Sequence, residues 1–216
     1  MKNKITIAVP KGRILDELLP VFKAIGIIPE ASFFDKKERK LQFDTNCEGI
    51  SLVRVRSFDI ATLVAFGAAE IGVCGSDVLM EFDYAENYAP IDLGIGKCRL
   101  SIAEPREIAK SDDVSKWSHI RIATKYPNIT QAHFAKSGVQ VECIKLNGAM
   151  ELAPKMGLCR RIVDLVSSGA TLRENGLVEV EKIADISSYL IINRTAFKTK
   201  HSEIQDIMDR FNKVVG

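Results

Sequence analysis

The chain is short of the residues that enzymes most often use to make a nucleophile or hold a metal. Only three of its 216 residues are histidine. His119, His133 and His201 lie far apart among polar or helix-forming neighbours and read as surface residues rather than as a base or ligand set. Four common signatures are missing: GxxxxGK[ST], HExxH, GxSxG, and GxGxxG after the first strand. The five cysteines, Cys47, Cys74, Cys98, Cys143 and Cys159, are widely spaced and form no CxxC pair, so they read as reduced, mostly buried thiols rather than disulfides or zinc ligands. No apolar run approaches the roughly 18 residues of a membrane span. The first residues run straight into a short strand with no export signal, so a cytoplasmic protein is expected. Charge of one sign is lacking too. The formal net charge is +2, with Lys and Arg spread along the chain, which excludes the polycationic surface of a nucleic-acid binder.

What remains is the composition of an ordinary folded protein, 46% hydrophobic and 27% charged, long enough to bury its own core. Apolar strands at residues 5–9, 40–43, 50–55, 70–74, 99–103, 120–124, 139–146 and 161–166 alternate with helical patterns at 15–25, 58–66, 128–136 and 149–156. Ile204, Ile207, Met208, Phe211 and Val214 predict an amphipathic closing helix. This alternation predicts α/β layers. Two sheet-bearing lobes fit the pattern, with the chain crossing between them near residues 92–96 and 176–181. The expected division is 1–94 with 179–216 as the first lobe and 95–178 as the second.

In α/β proteins ligands gather beyond the carboxyl ends of strands, so the loops after strands are where chemistry is sought. In "DLVSSGATLRENG" an acid near the end of an apolar run precedes Ser167, Ser168, Gly169, Ala170 and Thr171 at the start of a helix. Such a loop exposes several backbone N–H groups and suits a phosphate, while the acceptor-only carboxylate of Asp164 suits a sugar diol. The same residues are also common in capped turns, and the loop alone leaves both readings open. Lys11, Gly12 and Arg13 follow the first strand and could meet an anion or simply be solvated. Arg39, Arg54 and Arg56, with Asp59, form a basic set. Arg54 and Arg56 are expected on one face of a strand, where like charges call for an anionic ligand or an exposed face. Gly75-Ser76-Asp77 reads as a turn.

Taken together and in order, "AVPKGRILDELLP", "RVRSFDIATLVAFGAAEIGVCGSDVLME", "DLGIGKCRLSIAEP", "RIATKYPN", "IKLNGAMELAP" and "IVDLVSSGATLRENGLVEVE" resemble the catalytic chain of the ATP phosphoribosyltransferases. The resemblance covers residues 5–193. It implies two α/β lobes like those of type II periplasmic binding proteins, with the active site in the cleft between them. The implied reaction joins N1 of ATP to the anomeric carbon of 5-phosphoribosyl-1-pyrophosphate and releases pyrophosphate with magnesium, the first step of histidine biosynthesis. Family members come in long and short forms. The resemblance here is to the short form, which works with a regulatory subunit resembling histidyl-tRNA synthetase in a hetero-octamer.

The resemblance also implies roles. Ser167, Ser168, Gly169, Ala170 and Thr171, with Leu172, would hold the 5-phosphate, and Asp164 the ribose hydroxyls. Lys11, Gly12, Arg13, Arg39 and Arg54 would face the polyphosphates, with Arg13 and Arg39 as the catalytic pair. Glu151 would lie near the ribose or the metal, and no residue is assigned as a metal ligand. Nucleic acid and membrane are not expected partners. The commonest phosphoribosyltransferase loop is preceded by two adjacent acids, whereas Asp164 stands between Val163 and Leu165. A different class of function, a two-lobed binder of one small anion, shares the expected fold, so the loops must decide between them.

Overall fold

Apolar strands and helices that each have one apolar face need a partner layer, and in this chain they find it within two units. The structure is a computed structural model that describes residues 4–35, 37–109 and 118–215. Met1–Gly96 with Ser187–Gly216 forms one unit, and Lys97–Ile186 the other.

The first unit contains β1 (Ile5–Pro10), α1 (Arg13–Ala24), a 3-10 turn (Ala31–Phe34), β2 (Gln42–Asp44), β3 (Ile50–Val55), α2 (Ser57–Ala65), β4 (Ile71–Gly75), α3 (Ser76–Phe82) and β5 (Asn87–Asp92). The second contains β6 (Cys98–Pro105), α4 (Arg106–Ala109), β7 (His119–Thr124), α5 (Pro127–Ala135), β8 (Gln140–Lys145), α6 (Leu152–Lys155), β9 (Arg161–Val166), α7 (Ala170–Glu174) and β10 (Leu177–Ile186). The chain then returns to the first unit as β11 (Ser188–Asn193), α8 (Arg194–Thr199) and α9 (His201–Val215).

The first sheet has the order β2-β3-β1-β4-β11-β5, and β1 lies parallel to both β3 and β4. Alternation along β1 sends Ile5, Ile7 and Val9 to one core and Ala8 to the other. α1 and α9 cover the first face. Leu15, Leu18 and Phe22 recur at helical spacing, as do Ile204, Ile207, Met208 and Phe211, and the rings of Phe22 and Phe211 meet edge-on at 6.0 Å. Each of these fully buried rings contributes about 1.5–3 kcal/mol of transfer free energy. Val214, expected on the same stripe, is exposed. α2 and α3 cover the opposite face.

The second sheet has the order β10-β6-β9-β7-β8. β9 is antiparallel to β6 and parallel to β7. One face is filled by small residues, Ala103, Ala123, Ala153 and Cys159, together with Met150, Ile162, Val166, Leu172 and Leu177. Arg161 and Glu104, both almost wholly buried, form an ion pair at 3.0 Å that joins β9 to β6.

Several boundaries differ from those expected. The return crossing, anticipated at 178–179, falls at 186–187, because β10 pairs along β6 from Leu177–Pro105 to Ile186–Cys98 and stays with the second sheet. Strands β5, β10 and β11 were not anticipated. The helix expected over 149–156 shrinks to α6, since Pro154 fits only a first helical turn and Ala149 sits in the left-handed region at φ 53°. Arg54 and Arg56 do not share a strand: β3 stops at Val55 and Arg56 caps α2. All five cysteines are free thiols. Cys74 and Cys159 are buried, while Cys47, Cys98 and Cys143 are only partly so. Burial pushes the Cys74 thiol well above its ordinary range, and the Asp77 carboxylate adds to the effect.

Candidate active site

In the second unit the site is built where β9 ends. Asp164 is half-buried on β9 opposite Ser101 of β6, and its Oδ1 accepts the Leu165 N–H at 2.8 Å. Ser167 and Ser168 are exposed immediately after the strand, and Gly169 follows at φ 73°, a conformation costly for any residue with a Cβ. A Cβ there would also come within 3.1 Å of Arg173 Nη1. Ser168 Oγ accepts the Ala170 N–H at 3.3 Å, which tightens the turn. α7 has only five residues, so fixed loop amides rather than a long helix dipole must supply most of the anion-binding field. The Leu172 side chain departs from the expected set: it is buried with Val166, Ile162 and Leu177, and only its main chain can face a ligand.

Glu151 is half-buried in the turn that opens α6. Its neighbour Met150 packs in the same core as Leu172, so the Glu151 turn and α7 are anchored to one apolar cluster. Lys155 Nζ also reaches Asn175 Oδ1 at 3.3 Å.

Residues that local motifs do not mark contact the loop of residues 167–169. Arg99 on β6 forms a two-pronged contact with Glu179 on β10, at 2.6 Å from Nε and 2.5 Å from Nη2, and its Nη1 donates to Ser167 O at 3.0 Å. The buried Ser101 hydroxyl donates to Glu179 at 2.8 Å. Hydrogen bonding from Arg99 holds the Glu179 carboxyl below its ordinary range, and Ser101 adds to this against the opposing effect of burial. Arg173 Nη1 donates to Ser168 O at 3.0 Å. The available signal was periodicity: Arg99 and Ser101 are polar residues two apart on one strand and therefore share a face.

In the first unit the basic residues gather at the carboxyl ends of adjacent parallel strands. Val9 pairs with Arg54 and Pro10 with Val55, so Lys11, Gly12 and Arg13 follow β1 beside the end of β3. Gly12, at φ 81°, caps α1, and Lys11 and Arg13 are exposed. Glu17, one turn on, accepts the Gly96 N–H at 2.7 Å and lies 3.6 Å from Arg13, whose Nη2 makes a long contact with Gly96 O at 3.5 Å. Arg54 is placed differently. Its guanidinium lies over Phe33 at 5.3 Å and Phe43 at 5.0 Å, and Nη1 donates to Phe33 O at 2.7 Å. Arg54 thus ties the 3-10 turn to the sheet. Arg39 is exposed in the segment between that turn and β2.

His133 Nε2 approaches Glu181 at 3.1 Å, the His201 ring packs on Phe197 at 4.9 Å, and His119 is exposed on β7. Among the described residues no group of three or more His, Cys, Asp or Glu side chains is arranged to hold a metal ion. No helix among them is long and apolar enough to cross a membrane.

Comparison with known proteins gives the family and the fold. Residues 56–213 match the family model described as HisG, ATP phosphoribosyltransferase. The ATP phosphoribosyltransferase of Paramagnetospirillum magneticum is 62% identical over 215 residues, covering 100% of this chain and 98% of the relative. Among solved structures, the ATP phosphoribosyl transferase (HisG:HisZ) complex from Thermotoga maritima superposes with a TM-score of 0.82 at 30% identity, covering 98% of both chains. The protein Tv2483 bound to L-arginine superposes with a TM-score of 0.61 at 11% identity over 98% of this chain and 85% of that one, a likeness of fold alone. With the two-unit α/β architecture, the loops at the strand ends and identity along the whole chain in agreement, this chain belongs to the ATP phosphoribosyltransferase family.

Proposed function

We propose that the chain transfers the phosphoribosyl group of 5-phosphoribosyl-1-pyrophosphate to N1 of ATP, giving phosphoribosyl-ATP and pyrophosphate. It is a transferase of histidine biosynthesis. Adenine N1 already carries a lone pair, so the forming N–C bond needs no protein base to make the nucleophile. The C–O bond to pyrophosphate breaks with its electron pair on the departing oxygen, and the protein's work is alignment and stabilisation of that charge. The scarcity of histidine suits this chemistry.

In this reading the loop amides of residues 167–171 hold the 5-phosphate and the Asp164 carboxylate takes the ribose hydroxyls. Lys11, Arg13 and Arg39 meet the polyphosphates, and Arg13 and Arg39 stabilise the leaving group. Arg54 acts by holding the turn that precedes Arg39. With no group of three or more His, Cys, Asp or Glu side chains arranged for a metal among the described residues, a magnesium ion fits Asp164 and Glu151 better as a counter-ion carried by substrate phosphates and water than as a resident of a protein cage. When bound, it supplies charge neutralisation. The HisG:HisZ assembly of the Thermotoga relative supports a partner subunit for this chain, and we propose that this partner is a regulatory subunit resembling histidyl-tRNA synthetase in a hetero-octamer. ATP and the phosphoribosyl donor assign the reaction to the cytoplasm, with neither nucleic acid nor membrane as partner.

The observation that carries the reading is the 62% identity along essentially the full chain to an ATP phosphoribosyltransferase. The chain assembled with its partner should release pyrophosphate only when both substrates and magnesium are present. Release with ATP alone, or calorimetry showing one small-anion site and no turnover, would overturn the proposal.

A further inference from the structure

A loop of amides binds an anion well only when its peptide planes are fixed, because a loop free to turn presents carbonyl oxygens as readily as N–H groups. In residues 167–169 two successive carbonyls are each held by an arginine. Arg99 Nη1 donates to Ser167 O at 3.0 Å, and Arg173 Nη1 donates to Ser168 O at 3.0 Å. In a trans peptide the C=O and the following N–H point in opposite directions. Holding Ser167 O therefore turns the Ser168 N–H away from Arg99, and holding Ser168 O turns the Gly169 N–H away from Arg173.

Arg99 is itself built in. It pairs with Val166, the last residue of β9, while Ser101, on the same face of β6, pairs with Asp164. Glu179 takes Nε and Nη2 of the guanidinium and is held in turn by the Ser101 hydroxyl. The fork thereby leaves Nη1 for the loop. A planar guanidinium can satisfy a carboxylate and a carbonyl together in fixed geometry, which a lysine ammonium cannot.

We propose that Arg99, held by Glu179 and Ser101, is a positioning residue for the phosphate loop: it fixes the Ser167–Ser168 peptide so that its amide faces the 5-phosphate. This inference rests on the reading of residues 167–171 as the 5-phosphate site. Arg99 touches no substrate in this role, and Glu179 is its orienting acid. A second acid of the site thus comes from a neighbouring strand, whereas the commonest phosphoribosyltransferase loop places it next to Asp164 in the sequence.

The test uses the full chain, ribose 5-phosphate as the probe in calorimetry, and separate Michaelis constants for the phosphoribosyl donor and ATP. Arg99→Lys keeps the charge but loses the fork. It should weaken ribose 5-phosphate binding by roughly tenfold and raise the donor KM by a similar factor, the effect of losing one charge-assisted hydrogen bond. The ATP KM and the melting temperature should stay near wild type. Glu179→Gln should act in the same direction but less strongly. Unchanged ribose 5-phosphate affinity in Arg99→Lys, or an equal loss for both substrates, overturns the positioning role. Gly169→Ala, which strains the loop itself, separates the two ideas. If it weakens ribose 5-phosphate binding while Arg99→Lys does not, the phosphate site stands and the positioning role falls. If neither variant weakens it, the phosphate site falls as well.

Discussion

The two units place a glycine at positive φ between a strand and a helix, yet the loops around these glycines are built differently. After β1, Gly12 leads into the 12-residue α1, which buries an apolar stripe, while Lys11 before the cap and Arg13 at the first helical position are exposed. After β9, Gly169 leads into five-residue α7, in a loop of small residues whose Ser167 and Ser168 carbonyls are held by two arginines. The first loop offers long, solvated cations that can follow moving charge. The second offers short dipoles fixed in advance. A 5-phosphate keeps its charge throughout the reaction and suits the fixed cradle, whereas the pyrophosphate gains charge as it leaves and suits the mobile cations. Each unit also uses a glutamate to steer an arginine, Glu17 for Arg13 and Glu179 for Arg99, but only the second pair has the two-pronged geometry. The frames differ in the same sense. The first is held by interlocked rings such as Phe22 and Phe211, and the second by small residues and the buried Arg161–Glu104 pair.

This contrast predicts a ranked set of effects. Glu104→Ala removes the carboxylate that faces the buried Arg161 guanidinium and should cost about 3–5 kcal/mol, read as a lower urea midpoint. A loss below about 1 kcal/mol would show that the second unit does not rest on that pair. Arg13→Ala should lower kcat by about a hundredfold while the donor KM changes much less, because the lost contact strengthens only as pyrophosphate departs. A rise in KM at constant kcat would move Arg13 into simple binding. Thr171→Val, on the fixed loop, should show the opposite split, with the donor KM raised several-fold, the scale of a single hydrogen bond of about 1 kcal/mol. Acid should report on Glu179. Its folded carboxyl titrates below the ordinary range, so its contribution is complete above that range and fades as pH falls through the folded value. Glu179→Gln should therefore lower stability at neutral pH, where the carboxylate's contribution is complete, and flatten the acid limb, so that the difference from wild type closes as pH falls through the folded value. The smallest change is Ala149→Gly, which relieves the left-handed backbone at φ 53° and should stabilise by about 0.5–1 kcal/mol in thermal melts.

Much of this arrangement was legible in the order of the residues, because β1, β3 and β9 are apolar runs ending in polar loops, and α1 and α9 carry wide apolar stripes. The rest was hidden for physical reasons. β10 mixes Glu179, Glu181 and Lys182 with apolar residues across two register shifts, so its alternation is blurred and it read as a crossing. β11 held a usable signal in the continuous apolar run from Tyr189 to Ile192, the mark of a strand buried on both faces. Residues 164 and 167–171 follow one another along the chain, so their gathering at the end of one strand was legible from local types and spacing. Arg99, Ser101 and Glu179 could not be assembled from spacing, since 80 residues separate Arg99 from Glu179 and only strand pairing brings them together. The same holds for Arg54, whose charge suggested an anion but whose neighbours are Phe33 and Phe43.

The division between a fixed cradle and mobile cations is tested most directly by measuring ribose 5-phosphate affinity and saturating pyrophosphate release together on Gly169→Ala and Arg13→Ala. Gly169→Ala should lose affinity for ribose 5-phosphate by roughly tenfold, given a left-handed backbone cost of about 1–2 kcal/mol, while Arg13→Ala binds it as wild type and loses turnover. Loss of ribose 5-phosphate binding in Arg13→Ala, with Gly169→Ala unaffected, would contradict the account.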